Sequence, residues 1–265
     1  MFTQLRLAFK YLYYFITASN GKGHGIHSHF VFNLVRHVFN DDRKFDAFQK
    51  IEKLRQDLLK DDEIIRVEDF GAGSILINSN SRSISSIAKS AAKSAKYGQL
   101  FFRLVNYFES KQILELGTSL GVSTAYFASA NKNVRITSLE GSNTIAEKAA
   151  QNFAKLELQN IQIIKGNFDD TLEEILEKDD IYDLIFFDGN HRKEPTLRYF
   201  RQCMNNCQAD SIFIFDDIHW SKEMEDAWNE IKSHPAVTCS IDLFFVGLIF
   251  FRKEFKEVQH VIIRF

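Results

Sequence analysis

The chain is poor in proline, methionine, tryptophan and cysteine. Its 265 residues include two Pro, three Met, two Trp and three Cys, against 26 Phe. Much of the apolar volume must therefore be aromatic, and an apolar fraction of 45% is ordinary for a globular protein with a sizeable core. The length fits one large α/β domain, or a core domain with a smaller appendage.

The few cysteines exclude a disulfide framework. Cys203, Cys207 and Cys239 are odd in number and lack the spacing of metal ligands. We therefore expect reduced thiols and a cytoplasmic location.

The chain also lacks an excess of one charge and a long apolar run. Its net charge of −2 gives no chain-wide field for nucleic acid, so no nucleic-acid partner is expected. The apolar stretch Leu5–Ile16 is interrupted by Arg6 and Lys10 and is too short to cross a bilayer. We expect no stable membrane span and no signal peptide. The stretch predicts an amphipathic helix that packs on the protein, a partner or a membrane surface, and it is a candidate homodimer contact.

Residues 1–95 are predicted to be an N-terminal helical extension or lid. Apolar residues recur at helical spacing in four segments: Leu5–Ile16, His29–Phe39, Phe45–Leu59 and Ile84–Ala95. Tyr97-Gly98 is predicted to break this pattern before a helix resumes over Leu100–Phe108. The Gly71-Ala72-Gly73 segment is similar to a phosphate loop, but a Ser/Asn-rich stretch follows it, so we interpret it as a flexible loop.

Residues 96–265 alternate between short apolar runs and helical segments, which favours a parallel sheet with helices on both faces. The predicted strands are Ile113–Leu116, Val134–Leu139, Ile161–Lys165, Tyr182–Phe187, Ser211–Phe215, Thr238–Leu243 and Leu248–Phe251. Only Phe244–Gly247 links the last two, which requires an antiparallel hairpin. The predicted fold class is therefore α/β: a Rossmann-like, seven-stranded, mostly parallel sheet with an antiparallel terminal hairpin, plus the N-terminal helical extension.

A glycine-containing loop follows the first of these strands. Gly permits close approach of a ligand, and the next helix offers free N–H groups, so the loop predicts a site for the charged end of a nucleotide-like ligand. Ser119 replaces the middle glycine of a dinucleotide fingerprint, which disfavours a pyrophosphate. The motif instead resembles the first motif of class I S-adenosylmethionine (SAM)-dependent methyltransferases, and it reads Glu115-Leu116-Gly117-Thr118-Ser119-Leu120-Gly121.

This resemblance implies a set of cofactor-binding residues. In the loop they are Glu115, Gly117, Thr118, Ser119 and Gly121. Glu140 ends the second strand, where a carboxylate can accept hydrogen bonds from both ribose hydroxyls. Asn167 and Phe168 follow the third strand, where the family contacts the adenine, and Asp188 is added to the same set.

Three aspartates follow the fourth and fifth strands of the predicted sheet. Asp188, Asp216 and Asp217 are expected to converge at its carboxyl edge, where a divalent cation such as Mg²⁺ would relieve their mutual repulsion. The pattern resembles cation-dependent O-methyltransferases of the catechol and caffeoyl-coenzyme A type, which implies that these aspartates are metal ligands. Neighbouring strand residues point to opposite faces, so Asp216 and Asp217 share an ion only if the chain leaves the strand there. Helix capping or salt bridges are the alternative roles.

The resemblance also implies catalytic roles for Asp188 and His191. His191 lies where the catechol enzymes place a basic catalytic residue, and an unperturbed histidine can accept a proton near neutral pH. A surface loop histidine is the alternative. His219-Trp220 either lines the acceptor pocket or caps the next helix.

Three histidines, His24, His27 and His29, are clustered near the N-terminus. They are interpreted as zinc ligands, as part of a lid over the acceptor, or as an inter-helix loop capped by Ser28.

These observations predict a SAM-dependent methyltransferase that uses a metal to methylate a hydroxyl of a small molecule. A metal-independent methyltransferase and a SAM-binding scaffold without catalysis are the alternatives. A methyltransferase acting on RNA is disfavoured, because the fourth strand ends in Asp-Gly-Asn-His rather than in the Asn/Asp-Pro-Pro-Tyr/Phe motif of many such enzymes.

Overall fold

The computed structural model describes residues 1–67, 81–178 and 180–265. The predicted loop at Gly71-Ala72-Gly73 lies outside these residues. No helix in the described ranges is long and apolar enough to cross a membrane.

The described residues form ten α-helices and ten strands. The helices are α1 (Gln4–Thr17), α2 (His29–Leu34), α3 (Asp46–Leu58), α4 (Ile84–Ala91), α5 (Ala95–Phe108), α6 (Val122–Ala130), α7 (Asn143–Lys155), α8 (Phe168–Leu176), α9 (Lys193–Cys203) and α10 (Lys222–Lys232). The strands are β1 (Ile64–Arg66), β2 (Ser81–Ser83), β3 (Gln112–Leu116), β4 (Arg135–Glu140), β5 (Ile161–Lys165), β6 (Leu184–Phe187), β7 (Ile212–Asp216), β8 (Cys239–Asp242), β9 (Val246–Phe250) and β10 (Gln259–Ile262). A π-helical turn, Val35–Phe39, continues α2, and a 3₁₀ turn, Met204–Asn206, continues α9.

The chain divides into two compact units, the first made of Met1–Asp41 and Asp179–Phe265 and the second of Asp42–Lys178. In the second unit β3, β4 and β5 are parallel neighbours in that order, with Glu115 opposite Ser138 and Leu139 opposite Ile164. The connecting helices α6 and α7 each lie between two of these strands in sequence, as in βαβ units. This arrangement places the loops after all three strands at the same sheet edge.

The core of the second unit includes part of the predicted N-terminal extension. Phe48 and Ile51 of α3 and Ile87 of α4 belong to one buried apolar cluster with Ala125 and Tyr126 of α6. The helical spacing of the apolar residues explains this packing, since it places them on one face. The division of the chain after residue 95 remains a prediction.

Gly98 does not interrupt a helix, so the predicted break at Tyr97-Gly98 is wrong. It lies inside the continuous helix α5. A Cβ atom at Gly98 would come within 2.2 Å of the Tyr126 ring. The glycine therefore allows α5 and α6 to approach closely, and this tertiary contact outweighs its low helix propensity.

The first unit contains the predicted antiparallel hairpin. β6 and β7 are parallel, β9 pairs antiparallel with both β7 and β8, and β10 adds a parallel strand beside β8. The first unit thus contains β6 to β10, and the second contains β3 to β5 in addition to the separate β1–β2 pair. The mostly parallel α/β fold class is confirmed, with eight such strands instead of the seven predicted. β10 was missed because its Gln259-His260-Val261-Ile262 sequence lacks a long apolar run, and the short β1–β2 hairpin was also missed.

Candidate functional site

The loop after β3 depends on three residues with left-handed backbone conformations. Gly117, Ser119 and Gly121 have φ angles of 112°, 47° and 80°. The amides of Gly117 and Thr118 both donate to the carbonyl of Leu139, at 3.0 and 3.1 Å. The glycines adopt these angles at little cost, and the backbone bonds fix the loop against the end of β4.

Glu140 holds the same loop from the end of β4. Its carboxylate accepts the backbone N–H of Ser119 at 2.8 Å and that of Ser142 at 2.9 Å. Each of these two bonds uses a different carboxylate oxygen, so together they fix the orientation of the carboxylate. The structure therefore gives Glu140 a positioning role that the sequence did not show.

Glu115 is a buried acid beneath the loop, with no exposed surface. Its Oε2 accepts hydrogen bonds from Thr124 at 2.6 Å and Ser138 at 2.5 Å. Within the described structure its Oε1 is buried and has no hydrogen-bond partner. Burial raises the pKa of Glu115 to about 8, and the two hydroxyl donors only partly oppose this shift.

Several supporting residues of this loop were not predicted from the sequence. Thr118 and Ser138 share a hydrogen bond of 2.6 Å between their hydroxyls. The buried Asn152 of α7 donates to the carbonyl of Leu120 at 3.0 Å. Asn152 interrupts the otherwise apolar buried face of α7, and that interruption is the available signal, whereas Ser138 lies between Ile136 and Glu140 on its face of β4 and gives no such signal.

Gly121 is required by packing as well as by its backbone angle. A Cβ atom at this position would come within 2.4 Å of the Phe153 ring. The glycine therefore lets the start of α6 pack directly on α7, and a larger residue would displace the loop.

Asn167 and Phe168 begin α8, after β5. Asn167 is the N-cap, and its side-chain oxygen accepts from the amide of Asp169 at 3.2 Å. Both residues are half-buried. The structure thus shows a capping role for Asn167, and its predicted adenine contact remains a prediction.

The acidic residues lie in the first unit, after β6 and β7. Asp188, His191 and Asp216 bring one ligand atom each within 4.8 Å of one another, and they are the one group of three such side chains found among the described residues. The distance between His191 Nε2 and Asp188 Oδ1 is 3.7 Å. Asp216 is buried, while Asp188 and His191 are partly exposed. Two carboxylates and an imidazole are a donor set that divalent metals accept.

Asp217 does not join this group. The strand ends at Asp216, and Asp217 turns into the left-handed region with a φ of 53°. Its amide donates to the carbonyl of Phe245 at 2.7 Å. Asp216, rather than both aspartates, is therefore grouped with Asp188, and the predicted metal role of Asp217 remains a prediction.

The loop that carries His191 is also strained. Asn190 and His191 have φ angles of 69° and 33°, which side-chain-bearing residues seldom adopt. The Asn190 amide donates to the Tyr199 hydroxyl at 3.3 Å. Backbone strain of this kind is often found at functional sites, where the surrounding structure maintains it.

His219 occupies a separate polar network in the same unit. Its Nδ1 lies 3.0 Å from Glu225 Oε1 and its Nε2 lies 2.8 Å from Asp242 Oδ2. Burial alone would lower the pKa of His219, but the hydrogen bonds and charges of Asp242 and Glu225 outweigh it and raise the pKa. Lys10 of α1 also binds Glu225, at 2.7 Å. Ser221, rather than His219 or Trp220, caps α10.

The N-terminal histidines form no comparable cluster. His24, His27 and His29 do not bring their ring nitrogens together with a third ligand anywhere in the described ranges. Ser28 is the N-cap of α2, as predicted, and accepts from the amide of Val31 at 3.3 Å. The segment is thus a capped loop leading into α2.

Comparison with known proteins identifies a matching domain family. Residues 114–218 match the sequence profile of a family described as a methyltransferase domain. The chain is 30% identical over 147 residues to a catechol O-methyltransferase of Niastella koreensis, a match that covers 54% of this chain and 64% of that protein. The matched region therefore spans less than two thirds of this relative.

Solved structures with 14–18% sequence identity share the fold. A Podospora anserina methyltransferase bound to S-adenosylhomocysteine (SAH) has a TM-score of 0.59 and 14% identity, covering 96% of this chain and 98% of that one. A Bacillus cereus O-methyltransferase, also in complex with SAH, has a TM-score of 0.57 and 18% identity, covering 79% and 92%. These matches confirm the predicted resemblance to class I SAM-dependent O-methyltransferases, and residues 114–218 are the part of the chain that matches the methyltransferase domain family.

Proposed function

We propose that this chain is a SAM-dependent O-methyltransferase that uses a divalent cation to methylate a small hydroxylated molecule. The observation that carries the proposal is the loop Gly117–Gly121, which is fixed between the buried Glu115 and the carboxylate of Glu140. The similarity of residues 114–218 to methyltransferase domains supports the same reaction.

The residues of the second unit suit the cofactor. Glu140 would accept hydrogen bonds from the ribose hydroxyls, and its two backbone contacts hold its carboxylate in place. Among the described residues Oε1 of Glu115 is buried and has no hydrogen-bond partner, and this carboxyl, which burial keeps protonated, would suit a polar group at the methionine end of SAM. Gly117, Thr118, Ser119 and Gly121 would surround that end, while Asn167 and Phe168 would contact the adenine.

The residues of the first unit suit the acceptor and the cation. Asp188 and Asp216 would supply oxygen ligands, with Asp217 as a further candidate. When bound, SAM supplies a methyl group whose bond to sulfur breaks as the bond to the acceptor oxygen forms, and the cation lowers the pKa of that hydroxyl. His191 would accept the hydroxyl proton, and the left-handed loop would hold its ring beside Asp188.

The first experiment is transfer of a labelled methyl group from SAM to a panel of phenols and catechols. A catechol is the first acceptor to test, since the Niastella koreensis relative is a catechol O-methyltransferase and two adjacent hydroxyls can bind one cation. We expect a methyl ether product whose formation stops with a chelator and resumes with Mg²⁺ or Mn²⁺. Turnover that is insensitive to the chelator would reject the metal role and leave the metal-independent alternative. SAM binding without transfer to any acceptor would favour a scaffold.

The role of His191 is tested by spectroscopy as well as by activity. Pulsed electron paramagnetic resonance of bound Mn²⁺ detects nitrogen atoms in the first coordination sphere. If His191 is the base, wild type shows no imidazole coupling, and His191→Ala binds Mn²⁺ normally but loses methyl transfer. An imidazole coupling that disappears in His191→Ala would make His191 a ligand and remove it as the base. His37→Ala, at an exposed position, is the matched control.

A further inference from the structure

The chain turns immediately after the candidate ligand Asp216, and other parts of the first unit hold this turn. Asp216 ends β7 opposite Val246, and the Trp220 amide then donates to the carbonyl of Asp217 at 2.9 Å. We call residues 217–220 the ligand turn. Asp217 has a left-handed φ of 53°, an angle that a residue with a side chain keeps only where its surroundings enforce it.

The hairpin turn between β8 and β9, residues 243–245, holds the ligand turn at two points. The Asp217 amide donates to the carbonyl of Phe245 at 2.7 Å. Oδ1 of Asp242 accepts the Phe244 amide at 2.8 Å, and its Oδ2 lies 2.8 Å from His219 Nε2. The two turns therefore share one hydrogen-bond network, and a shift of the hairpin turn would reach Asp217.

The hairpin turn is itself strained, and α1 supports it. Phe244 is buried with a left-handed φ of 72°. The rings of Tyr11 and Tyr14, on α1, lie 5.0 and 5.2 Å from its ring, measured between centroids. Tyr11 also stacks on Phe245, at 6.0 Å and an interplanar angle of 27°. The aromatic rings of α1 thus pack directly on the turn whose carbonyl holds the Asp217 amide.

The N-terminal segment also reaches the ligand turn without the hairpin. The Phe2 amide donates to the carbonyl of Trp220 at 3.0 Å. Lys10 binds Oε1 of Glu225 at 2.7 Å, and the same oxygen lies 3.0 Å from His219 Nδ1. The ligand turn is therefore fixed between α1 and the hairpin turn by residues that are far apart in the sequence.

We propose that α1 is a positioning element of the acidic group, with Tyr11 as the residue that carries most of this role. Tyr11 contacts both rings of the hairpin turn and so holds Asp217 in its left-handed conformation. That conformation sets where Asp216 lies relative to Asp188 and His191. Metal sites tolerate only small errors in ligand position, so a loosened ligand turn lowers the affinity for a cation. The effect on cation affinity rests on the proposed function, whereas the support of the turn by α1 does not.

Hydrogen exchange measured by NMR without metal tests the support of the ligand turn. Tyr11 is 37% exposed, so Tyr11→Ala should keep the fold. We expect the amides of Asp217 and Trp220 to exchange at least about tenfold faster in this variant than in wild type, and those of β6 to be unchanged. Tyr11→Phe keeps the ring and should behave like wild type. Tyr13→Ala, at a 71% exposed position of the same helix, is the matched control. Unchanged exchange of the two amides in Tyr11→Ala would overturn the proposal.

Titration with Mn²⁺, followed by electron paramagnetic resonance, tests the consequence for the acidic group. We expect the dissociation constant for Mn²⁺ to rise about tenfold in Tyr11→Ala and to return to the wild-type value in Tyr11→Phe. Affinity for SAM should not change, because the proposed cofactor residues Glu115 and Glu140 belong to the second unit.

Two other outcomes of these experiments are distinguishable. Faster exchange in Tyr11→Ala with an unchanged dissociation constant for Mn²⁺ would show that α1 supports the fold alone, and it would overturn the positioning role. A wild-type chain that does not bind Mn²⁺ would contradict the cation in the proposed function and with it the positioning role. The exchange comparison would in that case still show whether α1 holds the ligand turn.

Discussion

The glycine loop after β3 and the acidic group after β6 and β7 are built in different ways. The loop is held by hydrogen bonds between backbone groups and by Glu140, whose carboxylate accepts the backbone amides of Ser119 and Ser142. The acidic group instead brings Asp188 and Asp216 together with His191 on a loop that has strained backbone angles. The backbone of the glycine loop is therefore held by protein partners, whereas the acidic group gathers like charges whose repulsion a cation would relieve.

The difference predicts opposite responses to mutation. Changes in the glycine loop should disturb packing and stability directly, because its atoms already have protein partners. Changes in the acidic group should matter most when a cation is present. The predictions below test this contrast in order of expected effect.

Gly121→Val should have the largest effect on stability. Its side chain would meet the Phe153 ring and would adopt a left-handed angle of 80°, so we expect a loss of about 4 kcal/mol in the free energy of unfolding, measured by urea denaturation. Gly25→Val is the matched control, because Gly25 has a φ of 79° but no atom within 4 Å of a Cβ. Equal losses in the two variants would show that Phe153 does not crowd this position.

Glu115→Gln should change the pH dependence of stability. Burial raises the pKa of Glu115 from 4.5 to about 8, so between these values the folded state retains a proton that the unfolded state has lost. The wild-type free energy of unfolding should therefore fall with rising pH, and the variant should gain about 2–3 kcal/mol relative to wild type between pH 5 and 8. Glu147→Gln, on the exposed face of α7, keeps Glu115, so its difference in stability from wild type should not change with pH. A constant difference between wild type and Glu115→Gln would contradict a protonated Glu115.

Asp216→Asn should remove stabilisation by Mn²⁺. Wild type is expected to gain about 2.7 kcal/mol at a Mn²⁺ concentration 100 times the dissociation constant, seen as a rise in melting temperature. The variant should lose this gain and keep its affinity for SAM. Asp226→Asn, in a surface pair with Lys222, should respond to Mn²⁺ like wild type. A melting temperature of wild type that does not respond to Mn²⁺ would argue against the cation site.

His219→Gln should have the smallest effect of the four. The pKa of His219 is raised, so its contribution to stability is fully present below its unfolded pKa near 6.5 and is lost as pH rises through the folded value. We expect a loss of about 1 kcal/mol at pH 6 and a smaller one at pH 9. His37→Gln, at an exposed position, should be neutral. A larger loss at pH 9 than at pH 6 would contradict a raised pKa of His219 in the folded state.

The sequence predicts the glycine loop well because that loop is local. Gly117 and Gly121 adopt left-handed angles that glycine favours, and the positions of the strands on either side of the loop follow from the alternation of apolar runs and helices. The number of strands was harder to predict, since β10 gains its stability from pairing with β8 rather than from its own apolar residues.

Contacts between distant segments were less predictable. The sequence wrongly predicts a helix break at Gly98, because the residue that requires a glycine there, Tyr126, lies 28 positions further along the chain. Asp216 and Asp217 are equivalent in the sequence, and only the turn at Asp217 distinguishes them. The sequence predicts that aspartates follow these two strands. Which of them lie close together depends on the turns after the strands, and the sequence does not show those turns.

Calorimetric titration of SAM into the full chain tests the central claim most directly. We predict one binding site per chain, with an affinity reduced at least about tenfold in Glu140→Ala, which loses the proposed ribose contact and the support of Ser119. Glu147→Ala should bind like wild type. Absence of SAM binding by the wild-type chain at millimolar cofactor would contradict the assignment of the loop Gly117–Gly121 as a SAM site.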